Sequence, residues 1–254
     1  IVAPGIQLNW DGIPGLAETI GKNNVTSNYR FDLAPYTWEL VQKTRKGRAI
    51  FTQPATPIKC GGAPQKIMYL ASDYWTKQNS LKDIDVDFYT PGSVIFGVEP
   101  FKSALQKVVK RYGINTHFKH NMVKIDGPNQ TAWFEDRENP DKEPFAVEFD
   151  MIHVVPPQSA PDFVKNSPLA RPGDEFGWVD VDKYSLQHVK YPNVFSVGDA
   201  AGTPNAKTGA AIRKQVPVAV QNVLTVLRHN ELKNPEKYNG YGSCPLVTDR
   251  KSVV

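Results

Sequence analysis

The run Tyr191-Pro192-Asn193-Val194-Phe195-Ser196-Val197-Gly198-Asp199-Ala200-Ala201 reads as a short buried strand over 194–197 that stops at Gly-Asp. A helix is expected soon after, from roughly Lys207 to His229, with Ile212, Val216, Val220, Val223, Leu224 and Leu227 along its apolar side. Pro217 falls inside that pattern and predicts a kink or a break. A carboxylate at the C-terminal end of a parallel strand can reach a bound ribityl or ribose hydroxyl. The following helix then turns its N-terminus toward a polar or anionic ligand. A lone Gly-Asp is a common turn. With Pro204-Asn205-Ala206-Lys207-Thr208-Gly209-Ala210-Ala211 behind it, the run is far more specific.

Other segments extend the pattern. Apolar runs bounded by turn residues predict strands at 49–52, 86–89, 122–125 and 151–155. Residues 131–135 and 144–149, separated by charged residues and Pro, predict a β-hairpin excursion. A helix begins at Glu99-Pro100, buries Phe101, Ala104, Leu105, Val108 and Tyr112 at 3.6-residue spacing, and stops at Gly113. Residues 9–46 are polar and weakly periodic, with a helix expected near 34–44. Strands alternating with helices give an α/β class with parallel sheets.

Two stretches carry the cysteines. In Ile58-Lys59-Cys60-Gly61-Gly62-Ala63-Pro64-Gln65-Lys66, paired glycines allow a tight turn and Pro64 marks a helix start. Cys60 would then precede a helix N-terminus and be flanked by Lys59 and Lys66, an environment that favours thiolate. The alternative is a structural cysteine in a tight turn. In Tyr238-Asn239-Gly240-Tyr241-Gly242-Ser243-Cys244-Pro245-Leu246-Val247-Thr248, Gly and aromatic residues predict an irregular loop. That loop either presents the Cys244 thiol to a pocket or packs it away.

Composition narrows the classes. Hydrophobic residues make up 40% and charged residues 22% of the 254, the balance of an ordinary globular chain. No run reaches the ~18 apolar residues of a membrane span. The opening Ile1-Val2-Ala3-Pro4-Gly5 has no Met and no basic leader, and reads as the interior of a protein. The net charge of +4 is spread along the chain rather than clustered, which argues against nucleic acid. Two cysteines cannot form a disulfide framework, and no C-x-x-C spacing marks zinc. The histidines at 117, 120, 153, 188 and 229 form no metal-binding pair and read as surface or core-edge residues. No G-x-S-x-G elbow occurs.

Taken together, the Cys60 turn, the Gly198-Asp199 strand end with Lys207-Thr208, and the Cys244 loop resemble the sulfide:quinone oxidoreductases, mitochondrial enzymes and related bacterial proteins among them. Ile1 to Leu8 resembles the strand-plus-glycine segment, with Gly5, that precedes their second nucleotide-type domain. The resemblance runs from Ile1 to about Thr248. It implies tandem Rossmann-like, FAD/NAD(P)-binding three-layer domains, with the first domain incomplete. It divides the chain into 1–44 plus 157–248 as a partial FAD-binding domain with connecting segments, and 45–156 as the second nucleotide-type domain.

The activity implied is oxidation of hydrogen sulfide, with sulfur held as persulfide or polysulfide on a redox pair and electrons passed through FAD to quinone. On that resemblance Cys60 stands beside the flavin and Cys244 exchanges sulfur. Gly5, Gly198, Asp199, Lys207 and Thr208 would contact the cofactor, Lys207 and Thr208 near the isoalloxazine. Implied partners are sulfide, quinone, a small thiol or other sulfur acceptor, and a membrane surface reached through a missing C-terminal region. The setting would be peripheral, on a bacterial cytoplasmic membrane or the mitochondrial inner membrane. The family's N-terminal Gly-rich turn and C-terminal amphipathic helices are not in the sequence, so the piece alone is expected to hold FAD poorly and to be inactive. Residues 249–254 depart from the pattern and read as translated sequencing adapter. One rival is a related flavoprotein, a type II NADH dehydrogenase or a flavocytochrome sulfide dehydrogenase. The Cys60 turn stands where G-x-G-x-x-G would bind NADH and argues against the former. The other rival is a non-catalytic α/β module, from which thiol geometry distinguishes the enzyme.

Overall fold

A computed structural model describes residues 1–249 and the backbone of 252–253. The strands are β1 (Gln7–Leu8), β2 (Val25–Thr26), β3 (Gly47–Thr52), β4 (Ile84–Thr90), β5 (Asn115–Phe118), β6 (His120–Asp126), β7 (Thr131–Asp136), β8 (Phe145–Glu148), β9 (Met151–His153), β10 (Gln158–Ser159), β11 (Leu246–Val247) and β12 (Ser252–Val253). The helices are α1 (Leu16–Thr19), α2 (Ala34–Lys43), α3 (Ala63–Lys77), α4 (Glu99–Tyr112), α5 (Asp162–Lys165) and α6 (Gly209–His229). The chain forms two compact units, each discontinuous in sequence.

One unit comprises residues 9–55, 62–157 and 245–254. Its centre is a five-stranded sheet in the order β2-β9-β3-β4-β5, parallel at every pairing. Side chains alternate across this sheet with the two-residue period of a strand. Ala49 and Phe51 of β3, Val86 and Phe88 of β4, and Met151 of β9 join the core that includes Met68, Tyr69 and Trp75 of α3 and Leu105 and Val108 of α4. Ile50, Tyr89 and Ile152 face the opposite way, into a second core with Met122, Ile125, Ala132, Phe134 and Val147. Those residues come from the antiparallel sheet β6-β7-β8, which is the expected hairpin excursion extended by one strand. The layers are therefore helices, parallel sheet and antiparallel sheet. Each fully buried Phe or Leu here contributes about 1.5–3 kcal/mol of hydrophobic stabilisation.

Local chemistry fixes the helix ends. Pro100 occupies the first turn of α4, and Gly113 ends the helix at φ +64°, a left-handed cap that a side chain would strain. In α3 the Trp75 indole N–H donates to the Val41 carbonyl at 2.8 Å, so a large ring is buried without orphaning its polar atom.

The other unit comprises residues 1–8, 56–61 and 158–244. It holds the antiparallel pair β1-β10, the helix α6, and a set of single bridges rather than long strands. The run expected as a strand at 194–197 pairs only at Phe195 with Gln187 and at Ser196 with Val2. The unit boundaries differ from the expected division: residues 245–248, expected with the partial FAD-binding domain, join the parallel-sheet unit, where Leu246 is part of the core, and two longer segments also change sides. Residues 9–44 join the parallel-sheet unit because Val25 and Thr26 pair with Ile152 and His153. Residues 56–61 join the α6 unit because Lys59 pairs with Lys207.

Helix α6 departs from expectation in its buried face. Of the kink or break expected at Pro217, the break does not occur, and the helix continues through it. Its buried face is Ala211, Gln215, Ala219 and Asn222, while Val216, Val220 and Leu227 of the expected apolar side stay exposed. Hydrogen bonding decides that rotation: Gln215 accepts the Gly198 N–H, and Asn222 donates to the Ser185 and Glu236 carbonyls and accepts the Glu236 N–H.

Candidate active site around the Cys60–Cys244 disulfide

Cys60 and Cys244 form a disulfide, with Cα atoms 5.7 Å apart across a sequence separation of 184. Both lie in the α6 unit, and both are half-buried, within reach of a small nucleophile. Reading the two as unconnected packed thiols therefore fails.

Cys60 sits at φ +53°, a left-handed conformation uncommon for a side chain of this kind. Three contacts hold it there. The Cys60 N–H donates to the Lys207 carbonyl at 2.7 Å, the neighbouring Lys59 N–H to Gln158 Oε1 at 2.9 Å, and the Gln158 N–H to Thr56 Oγ1 at 2.9 Å. Nε2 of the buried Gln158 has no hydrogen-bond partner among the described residues. An orphaned buried donor costs about 1–3 kcal/mol, which marks this amide as more than filler.

The segment that holds Cys60 is organised by Lys207, which is only 8% exposed. Its ammonium lies 3.7 Å from the Trp178 ring centroid and donates to the Asp199 carbonyl at 2.6 Å and the Ala201 carbonyl at 3.0 Å. Burial pushes the Lys207 pKa down to about 8, partly opposed by the charge of Asp199. Thr208 Oγ1 accepts the Ala211 N–H and caps α6. On the far side of this segment, a Cβ placed on Gly242 would stand 3.8 Å from the Ala206 carbonyl oxygen and 3.9 Å from Thr208 Oγ1. A side chain at 242 in the Cys244 loop would therefore reach the start of α6.

Of the residues expected at a cofactor, Gly198 and Asp199 follow the segment bridged to Val2, and Gly5 lies between that bridge and β1. Gly198 has φ +76°, and a Cβ there would meet Ile212 of α6 at 3.1 Å, so glycine permits the close approach of helix and strand end. Gly5 has φ +83° with open space beside it. The half-buried Asp199 carboxylate has no ion pair or hydrogen bond among the described residues, leaving an acceptor for a ligand hydroxyl. An open carboxylate at a strand end, two glycines at positive φ and a buried cation fit a flavin dinucleotide. The side chains of Lys207 and Thr208 already have protein partners. The sequence singled out none of Gln158, Trp178 and Gln215. Each is buried through contacts distant along the chain, and no local motif marks it.

In the parallel-sheet unit, His117 and His120 are half-buried, and only His153 departs from the expected surface or core-edge placement. His153, at the end of the interior strand β9, is fully buried, and desolvation lowers its pKa to about 3. His117 meets Asp87 of the neighbouring strand at 2.6 Å and stacks on Tyr89 at 4.1 Å. Among the described residues no helix is long and apolar enough to cross a membrane.

The parallel sheet, its layering and the strand end at Gly198-Asp199 define the fold class of the FAD- and NAD-binding flavoprotein reductases. A chain in the cryo-EM mitochondrial ATP synthase tetramer of Tetrahymena thermophila superposes with TM-score 0.80 at 20% identity, over 97% of this chain and 60% of that one. The sulfide:quinone oxidoreductase of Aquifex aeolicus gives 0.71 at 19% identity, over 90% and 54%. Thioredoxin reductase of Lactococcus lactis gives 0.56 at 17%, over 89% and 64%. No protein-family model matches the chain. Its curated homologues are enzymes, the mitochondrial sulfide:quinone oxidoreductases. The protein of Dictyostelium discoideum is 43% identical and that of Mus musculus 41% identical, each over 100% of this chain. The chain spans 55% of the length of either relative.

Proposed function

We propose that this chain is the part of a sulfide:quinone oxidoreductase that carries the redox disulfide, with residues 1–8 and 158–244 contributing to the FAD-binding domain and the parallel-sheet unit serving as the second nucleotide-type domain. The observation that carries this reading is the Cys60–Cys244 disulfide, held at the segment that also presents Asp199 and Lys207.

Hydrosulfide attacks Cys244 Sγ, a new S–S bond forms there, and the Cys60–Cys244 bond breaks with its electron pair leaving on Cys60 as thiolate. Cys244 then carries a persulfide. The Lys207 carbonyl keeps the Cys60 main chain fixed while its side chain changes partner. Asp199 accepts a hydroxyl of the cofactor, and Gly198 lets α6 approach it. FAD, when bound, supplies the two-electron relay from the Cys60 side to quinone, which takes up the pair with two protons. The mitochondrial relatives favour the mitochondrial inner membrane, with peripheral attachment, as the location.

The test is sulfide-dependent reduction of a soluble quinone by the complete coding sequence purified with FAD, beside Cys60→Ser and Cys244→Ser. Loss of turnover by at least roughly a hundredfold in both variants is the expected outcome. Absence of sulfide turnover, with NADH oxidation that survives both substitutions, overturns it in favour of a dehydrogenase.

A further inference from the structure

Trp178 lies beside the strand end that carries Asp199. Its neighbour Val179 donates its N–H to the Ala200 carbonyl at 2.9 Å and accepts the Gly202 N–H at 2.9 Å, which pairs the two segments. Arg171 closes the pairing from the other side. Its N–H donates to the Trp178 carbonyl at 2.8 Å, and its guanidinium donates to the Gly202 carbonyl at 2.7 Å and to Asp180 at 3.1 Å. The buried indole is thus seated by backbone pairing and not by its ring alone.

Over that ring, 3.7 Å from its centroid, stands the ammonium of Lys207. No carboxylate forms an ion pair with it among the described residues. A charge buried without a counterion has to be compensated by dipoles or give up its proton. Here the Asp199 and Ala201 carbonyls take two N–H groups, and the negative face of the indole meets the remaining charge. The margin is narrow. Burial lowers the Lys207 pKa to about 8; the charges of Asp199 and Asp174 oppose that shift, and Arg171, itself paired with Asp180, adds to it. Lys207 also holds the redox turn through its main chain, since its carbonyl accepts the Cys60 N–H at 2.7 Å and residues 59 and 207 form a parallel bridge. The side chain of Lys207 therefore fastens to the Asp199 strand end the same residue that fastens Cys60.

We propose that Trp178 is a positioning residue of the redox site: its ring keeps the Lys207 ammonium on the Asp199 and Ala201 carbonyls, and through Lys207 it keeps the strand end and the Cys60 turn in register. Its bearing on sulfide oxidation rests on the reading given above. Trp178 touches neither sulfur nor substrate, and it acts only while Lys207 is charged. A ring over a desolvated cation favours the charged form by about half a unit to one and a half units of pKa. That charge dependence separates positioning from simple packing, because a ring that only fills space stabilises the charged and the neutral amine alike.

The experiment replaces Trp178 alone with tetrafluorotryptophan in the complete FAD-loaded protein, which keeps the shape of the ring and weakens its hold on a cation. Amide exchange of 56–61 and 199–208, normalised to intrinsic rates, is measured at pH 7, where Lys207 is mostly charged, and at pH 9, where it is mostly neutral. At pH 7 the fluorinated protein exchanges both segments about three- to tenfold faster than the protein with ordinary tryptophan. Its kcat for sulfide-dependent quinone reduction falls about twofold or more at that pH. At pH 9 the difference in exchange closes, and in the Lys207→Met background it is absent at both pH values. The comparison of the two pH values decides the matter by itself should that substitution prevent folding. Equal exchange at pH 7, a difference that persists at pH 9 or in that background, a rise confined to 199–208, or turnover that is unaffected at pH 7 overturns the proposal. The expected exchange pattern in a protein without sulfide turnover overturns the sulfide reading and leaves the clamp standing.

Discussion

At the end of β9, the imidazole of His153 has no exposed surface, and desolvation holds its pKa near 3 instead of the ordinary 6.5. Between those values the unfolded chain binds a proton that the folded chain refuses, so stability is complete above about pH 6.5 and is lost as pH falls toward 3. The slope from this group approaches about 1.4 kcal/mol per pH unit. Urea unfolding at pH 6 and pH 4 should therefore show a drop that His153→Leu removes in large part; equal drops in both proteins would exclude His153 as the cause. The apolar run 151–155 marks the strand, but the complete burial of its one ionisable residue follows from β9 taking the place between β2 and β3 in the parallel sheet. Cys60 and Cys244 were legible by contrast, since each lies in a Gly-rich context that is unusual by itself. Their pairing came only with the family resemblance. Lys207 was singled out in the same way, but its clamp on the Asp199 and Ala201 carbonyls depends on Trp178, which no local pattern links to it.

The limits of periodicity appear most clearly in α6. Counting apolar residues put Val216, Val220 and Leu227 on the inner side, yet all three are exposed. Burial of Gln215 and Asn222 joins the helix to residues 198, 185 and 236 through directional bonds, and an apolar residue in either place would leave carbonyls and N–H groups unsatisfied. Asn222→Leu should therefore destabilise the protein by roughly 3 kcal/mol despite adding hydrophobic volume. Val220→Ala should cost less than about 0.5 kcal/mol. Thermal or urea unfolding of the two variants decides between the assignments, and the reverse order would restore the valine face as the core. Elements whose period matched their burial were read well. In α4, Leu105, Val108 and Tyr112 are buried as expected, and Gly113 closes the helix. Pro217 is the complementary lesson: its missing N–H interrupts one backbone bond, and twenty-one residues of helix continue around it.

On the scale of the whole molecule, the chain enters each of its two units three times, and the sequence-based division at residues 44 and 156 misses this interleaving. The reason is that membership is set by pairings between distant segments, Val25 with Ile152 and Lys59 with Lys207, which hydropathy along the chain does not encode. The Cys60–Cys244 bond is the covalent form of the same long-range linkage: both of its ends lie in the α6 unit, and the sequence separation of 184 it closes includes residues 62–157 of the other unit. In a chain-entropy account such a closure limits the unfolded ensemble by up to about 5 kcal/mol. Sulfide oxidation would open and reseal that bond in every cycle, so the unit must keep its fold in both states through its noncovalent contacts. Lys207, Gln158 and Thr56 tie residues 56–61 to the rest of the unit without the sulfur bridge. Reduction with a phosphine should accordingly raise amide exchange in 238–244 while 56–61 and the first turns of α6 stay protected. Hydrogen-exchange mass spectrometry on the complete protein, oxidised and reduced, measures this directly. Loss of protection throughout α6 on reduction would mean that the disulfide itself holds the unit together, and a structural bridge of that kind is incompatible with a redox pair that opens in turnover.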